Sequence, residues 1–320
     1  MPALVAGHDY PRTYREFVTM FPDNVAGAAY LERLRWPSGF LCPACSELSA
    51  TPWRHTRGRL VCPVCRHQTT VTTGTIMEKT RTPLTTWFEA AWHLTTAKNG
   101  MSAKTFERDR RINYRAGWMI RGRFRVAMVR AERERLFGEV EVDETLVGGI
   151  EHGGKSGRGA KKCVVVIAVE IQQPKGFGRV RMRYVTDASF DHLIPFVCDV
   201  TIPGSVVMTD GWSGYNGLSS SGYTHQRTVL STSGDPAHVA MPGVHRVASL
   251  LKRWILGTHQ GSVESVHLQS YLEEYTFRFN RRASRSRGLV FYRLLEQSVV
   301  TKPLAEVDIA KGYSWETRRS

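Results

Sequence analysis

The chain has 320 residues, 42% hydrophobic and 23% charged, a balance that fits a globular protein with a sizeable core and about two domains. Lys and Arg number 44 against 29 Asp and Glu, a net charge of +15 that favours a polyanionic partner, although cations that are merely solvated give the same sum. No run approaches the ~18 apolar residues of a membrane span, and the start, MPALVAGHDYPRTYREF, lacks an export signal's basic and apolar regions, so a cytoplasmic address, close to the nucleoid, is expected and a membrane partner is not.

Residues 1–40 read as short helices, TYREFVTMF and AAYLERLRW, stopped by Pro37 and Gly39. Residues 41–75 are turn-rich and carry Cys42-Pro-Ala-Cys45 and Cys62-Pro-Val-Cys65, two C-x-x-C pairs with sixteen residues between them. Each pair can aim two thiolates at one point, and two pairs complete a tetrahedron, which is the pattern of a structural Zn²⁺ ribbon. The other cysteines, Cys163 and Cys198, lie in apolar runs and read as small buried hydrophobes. Arg54, His55, Arg57 and Arg59 lie on the arm between the pairs, where phosphate contact and plain solvation are both open.

Residues 82–136 are helical in pattern. Thr82 is placed to cap and Pro83 to open a helix whose apolar stripe is Leu84, Trp87, Phe88, Ala91 and Trp92, ended by Asn99-Gly100. Ser102 can cap a second helix reaching about Arg111, and a third runs from about Tyr114 to Arg135. The last two read as a helix-turn-helix, with Asn113, Tyr114 and Arg115 placed for base edges and Arg110, Arg111 and Arg121 for phosphates. A three-helix packing unit with a solvated basic face would show the same pattern.

Residues 138–300 form the second large region, and 301–320 a tail. EVEVDETLV, CVVVIAVEI and RVRMRYVTDAS read as strands, DHLIPFVCDV as a helix, SVVMTDG and THQRTVL as strands, with helices after them. That order describes a mixed α/β domain with helices packed on a central sheet. Asp143 sits within the first of these strands and Asp210 at the end of a later one. A carboxylate on a core strand is costly to bury unless it pairs or binds a cation. Two such acids at neighbouring strand ends are what a divalent-metal phosphoryl-transfer site requires, whereas loop-end acids paired with Arg are the bland alternative.

The cysteine pairs, EVDETLVGG, GRGAKK, TDGWSGY, VHRVASLLKRW and YTFRFNRR follow one another from about residue 15 to 300. In that order they resemble the zinc-ribbon insertion-sequence transposases of the DDE type. The resemblance implies an RNase H-like, retroviral-integrase-like catalytic domain preceded by the zinc ribbon and the helix-turn-helix region. It implies Asp143 and Asp210 as the first two acids of a catalytic Mg²⁺ or Mn²⁺ site. The third family ligand lies on the helix beginning at Val244; the aligned residue is His245, with Lys252 seven residues on, as the family pattern expects.

His in place of the usual Glu is the chief departure from that pattern. Neutral imidazole suits Mn²⁺ better than Mg²⁺. A protonated His245 contacting the scissile phosphate, or a plain helix-start residue, are the other readings, with Glu264, Glu273 and Glu274 as further acids. The implied partners are double-stranded DNA, at element ends and target, and further copies of the chain bound on that DNA. Lys155, Arg158, Lys161 and Lys162 would track DNA or be a solvated hairpin. Arg281 and Arg282 would hold phosphate or form an ordinary basic helix end. Trp212 and Tyr215 would stack on a base or pack. Two rivals stay open: a domesticated DNA-binding protein that has lost catalysis, and a structure-specific nuclease of the same fold.

Overall fold

The computed structural model describes residues 4–49, 51–55, 58–110, 112–130, 133–148, 162–174, 176–228, 240–259 and 263–312. Two compact units emerge, residues 1–130 with 284–309 and residues 131–283 with 310–320.

In the first unit, α1 (Tyr14–Met20) and α2 (Asn24–Arg35) begin at side-chain caps, Thr13 accepting from the Glu16 amide and Asp23 from that of Ala26. Strands β1 (Phe40–Leu41) and β2 (Leu48–Ser49) pair antiparallel, as do β3 (Trp53–Arg54), β4 (Leu60–Val61) and β5 (Gln68–Thr69). Helix α3 (Leu84–Thr96) buries Trp87, Phe88, Ala91 and Trp92 as the stripe predicts. It starts without a side-chain cap, however; Thr82 donates its amide to Thr80 Oγ1 instead of capping.

Helices α4 (Ala103–Arg110) and α5 (Tyr114–Ala127) are capped by Ser102 and Asn113, whose side chains accept from Thr105 N at 3.0 Å and Ala116 N at 2.7 Å. They approach closely at Gly117, where a Cβ would stand 3.3 Å from the Phe106 ring. Helix α5 stops at Ala127, earlier than expected, where the Met128 amide caps it through bonds to the Phe124, Arg125 and Val126 carbonyls. The helix Arg287–Val300 belongs to this first unit, not to a 138–300 domain. Its Phe291 is fully buried and meets Phe17, Phe88 and Trp92 with ring centroids 5.6, 6.1 and 5.8 Å away, an aromatic cluster that only tertiary packing reveals.

The second unit is built on a five-stranded sheet in the order β10-β9-β6-β7-β8. Its strands are β6 (Glu139–Val147), β7 (Cys163–Ile171), β8 (Phe177–Val185), β9 (Val206–Asp210) and β10 (Thr224–Thr228). β6, β7 and β8 form an antiparallel meander, while β9 and β10 join β6 in parallel. Strand alternation sends Val140, Val142, Val166, Ala168 and Val207 to one face, under α6 (Phe190–Val200). It sends Val147, Val165, Ile167, Val169, Val180 and Met182 to the other, under α7 (Pro242–His259) and α8 (Ser265–Phe279). This order and strand sense, with helices on both faces, are those of the RNase H-like domain the sequence led us to expect.

β8 is an edge strand whose outward backbone groups would otherwise invite pairing with another chain. Side chains at and just beyond α8 cover them. Asn280 bonds both the amide and the carbonyl of Val180, at 2.8 and 3.1 Å, and Gln269 Oε1 accepts from Tyr184 N at 2.8 Å. Arg282 donates to the carbonyls of Phe177 and Gly178. Among the described residues no helix is long and apolar enough to cross a membrane.

Candidate active site

The two cysteine pairs fold into matching turns. Cys42 N donates to Glu47 O and Ser46 N to Cys42 O; Cys62 N donates to His67 O and Arg66 N to Cys62 O. Ser46 and Arg66, just after each pair, hold φ of 59° and 64°, the left-handed bend that turns both thiols inward. Cys42 and Cys65 Sγ are 3.6 Å apart, Cys45 and Cys62 Sγ 3.7 Å, and all four lie within 4.8 Å of one another. A Zn–S bond of ~2.3 Å gives a tetrahedral edge of roughly 3.8 Å. The four thiolates fit zinc.

The acids meet through sheet register. β6 and β9 run parallel with Glu141 level with Met208, so alternation two residues further puts Asp143 and Asp210 on the same face, the one covered by α7, near enough for Asp210 to act on the Asp143 carboxyl. Asp143 is mid-strand in the nine residues of β6, not at a tip as expected, because β6 runs on beyond the end of β9 to pair with β7. Asp143 Oδ1 accepts from Glu144 N at 2.8 Å, and Asp210 Oδ1 from Trp212 N at 3.0 Å.

On α7, Val244, Val247, Ala248, Leu251, Trp254 and Ile255 are buried against the sheet, which leaves His245, Ser249 and Lys252 on the helix's open flank. His245 Nδ1 lies 3.9 Å from Asp143 Oδ2. Among the described residues only the cysteines gather their ligand atoms within 4.8 Å, so Asp143, Asp210 and His245 are spread more widely.

Burial holds the Asp143 carboxyl above the usual range, and the facing Asp210 adds to this; the Glu144 amide, His245 and Lys252 pull it down. Glu144, on the opposite face, is pushed up to about 7, chiefly by burial and further by Asp143 and Asp210. The hydroxyl of the fully buried Tyr215 stands close to it and favours its charged form. Yet neither Glu144 Oε1 nor that hydroxyl has a hydrogen-bond partner of normal geometry among the described residues. Two like charges facing each other beside a single imidazole is an arrangement that a cation relieves.

Residues 135–280 match the ISXO2-like transposase domain, and residues 22–68 match the transposase zinc-ribbon domain. Over both regions the chain is similar to zinc-ribbon insertion-sequence transposases. It is 24% identical over 282 residues to an uncharacterized protein in transposable element ISH50 of Halobacterium salinarum, covering 82% of this chain and 92% of that protein. The crystal structure of the catalytic core domain of BIV integrase aligns with 46% of this chain and 85% of its own at 15% identity, with a TM-score of 0.30.

The remaining residues singled out in the sequence lie in varied settings. Tyr114 and Lys162 are exposed, and Asn113 spends its side-chain oxygen on capping α5. Arg115 is exposed but forked onto Glu306, with Nη2 to Oε2 at 2.8 Å. Arg121 is buried at 5% exposure, so it is not offered to a phosphate, and the basic stripe read from the sequence was partly core. Arg281 donates to Phe277 O and lies over the Phe277 ring, while Arg282 serves the β8 edge; the FNRR run is thus engaged in the fold. Arg57, Arg111, Lys155, Arg158 and Lys161, and the side chain of Arg110, lie outside the described residues.

On the ribbon arm, Arg54 forks onto Glu32 at 2.7 and 3.0 Å, and Arg59 donates to Gln68. Trp212 donates its ring N–H to Ala188 O, and Tyr215 packs within the core. Glu273 is committed to Arg133 at 2.8 Å, and Glu264 stands at the start of α8. Two residues escaped the sequence reading: Glu141, buried on the Asp143 face, and Asn280 as an edge cover. Alternation along β6 carried the signal for Glu141, since it places a second acid on the same face.

Proposed function

We propose that this transposase binds the terminal inverted repeats of a bacterial insertion sequence and cuts and joins DNA at one site made by Asp143, Asp210 and His245. The observation that carries the reading is that the two aspartates lie on one face of adjoining parallel strands, with His245 beside Asp143, inside the match to a transposase domain. A pair of divalent cations, Mg²⁺ or Mn²⁺, stabilises the attacking and leaving oxygens of an in-line displacement when bound. Asp143 and Asp210 would offer oxygen ligands to such ions, and His245 a nitrogen ligand that suits Mn²⁺.

The reaction has two displacements. Water opens a phosphodiester at the element end and frees a 3′-hydroxyl, and that hydroxyl attacks a phosphodiester of the target, releasing a new 3′-hydroxyl. Lys252, exposed one turn beyond Ser249, supplies a cation for the neighbouring phosphate. The ribbon and the α4–α5 pair read the ends, with Tyr114 at the exposed start of α5. Two ends are held by more than one copy of the chain.

The test is a duplex carrying the inverted repeats that flank the gene, incubated with the protein and Mg²⁺ or Mn²⁺. The expected products are a nick exposing the 3′-end of the element and its covalent joining to a target duplex. Binding without cleavage would identify a DNA-binding protein, and cutting without joining or end preference a nuclease.

A further inference from the structure

Glu141 is 3% exposed, on the same strand and the same face as Asp143. Its Oε2 accepts from the amide of Val244 at 2.8 Å, in the first turn of α7. The adjoining residue is Gly243, where a Cβ would fall 2.9 Å from that oxygen and 2.8 Å from Ile171 Cδ1. A side chain there would force the Glu141 carboxylate and the Ile171 tip to shift. Val244 is followed along α7 by His245.

We infer that Glu141 is a positioning residue, a latch that pins the start of α7 to β6 and so sets His245 beside Asp143. The inference rests on the proposed metal-binding role of His245 and deepens it. Elsewhere α7 shares an apolar core with the sheet, Val244, Val247 and Leu251 lying in one cluster with Val165, Ile167 and Val169. Apolar packing chooses the face of a helix but is non-directional, so it holds axial register weakly. A slip of one residue moves the helix ~1.5 Å and turns it ~100°, enough to swing His245 off the site. The Glu141 bond to Val244 is directional, and a negative group at a helix N-terminus is favoured by the exposed amides there. One strand therefore carries both the first acid and the anchor of the element that brings the nitrogen ligand.

The test uses the full, zinc-loaded chain in four backgrounds: wild type, Glu141→Gln, Glu141→Ala and Gly243→Ala. The first readout, taken without added divalent cation, is the Cε1–H resonance of His245, assigned by its loss in His245→Ala. Glu141→Ala and Gly243→Ala should move it toward its position in Asp143→Asn, and Glu141→Gln, which keeps an acceptor oxygen, should leave it near wild type. The second readout is Mn²⁺ affinity by electron paramagnetic resonance. Glu141→Ala should weaken binding about ten-fold, the size expected for losing the support of a ligand. In a His245→Ala background it should weaken it no further.

An unmoved resonance in both Glu141→Ala and Gly243→Ala would overturn the latch, as would full additivity with His245→Ala. Should Glu141→Ala fail to fold, Gly243→Ala keeps the carboxylate and tests the same contact. If Asp143→Asn and Asp210→Asn bind Mn²⁺ as wild type does, the metal reading fails, and the resonance still decides the latch by itself.

Discussion

Replacing Glu144 by Gln removes a carboxyl that burial pushes up to about 7 from its ordinary 4.5. In the native chain Glu144 keeps its proton over a range where the unfolded chain has released it. Stability is therefore unpenalised below about pH 4.5, falls as pH rises through the window from 4.5 to 7, and stays low above it. A carboxyl displaced this far costs at most about 3 kcal/mol when forced to ionise. Asp143 is also raised and contributes in the same direction at lower pH.

The assay is denaturant unfolding of the wild type and the Glu144→Gln variant at pH 5 and pH 8, in buffer without added divalent cation. Wild type should lose stability between the two, and the variant should lose less, by about 2–3 kcal/mol. At pH 8 the variant should be the more stable protein. Equal pH dependence in the two proteins would refute the placement of Glu144 in a desolvated pocket beside Tyr215.

Further predictions address the frame around the site. Cys62→Ser should release zinc, measured by metal analysis, and make the ribbon sensitive to protease, because a three-thiolate site loses much of the folding energy that closure supplies. Ser46→Gly, at φ 59°, should stabilise the ribbon by about 1 kcal/mol in thermal unfolding, since glycine occupies that bend freely. Asn280→Ala should uncover both backbone groups of Val180 on the β8 edge, cost about 1–2 kcal/mol and raise light scattering through edge pairing.

Much of the second unit is legible because its signals are periodic. The alternation of Val140 and Val142 against Glu141 and Asp143 states a strand with a buried apolar face and an acidic one, and the spacing of Val244, Val247, Leu251 and Trp254 states a helix with one face inward. The cysteine spacing states its tetrahedron just as directly. Pairing between distant segments is not periodic. Nothing local says that Phe291 completes the aromatic cluster of the first unit, or that Arg121 is buried rather than facing DNA. Charge is the weakest guide of all, because Arg115, Arg281 and Arg282 look free in sequence and are each engaged within the fold. Glu141 is a milder case: its strand position is readable, but its partner lies 103 residues away, and only the sheet-to-helix packing joins them.

The most direct measurement compares Asp143→Asn and Asp210→Asn with wild type on one duplex bearing the element end, scoring binding and strand cleavage in the same reactions. Each substitution should lower cleavage and joining on the order of 10³-fold, while binding of the duplex stays within about two-fold of wild type. A variant that still cut at the element end would show that the chemistry resides elsewhere in the chain.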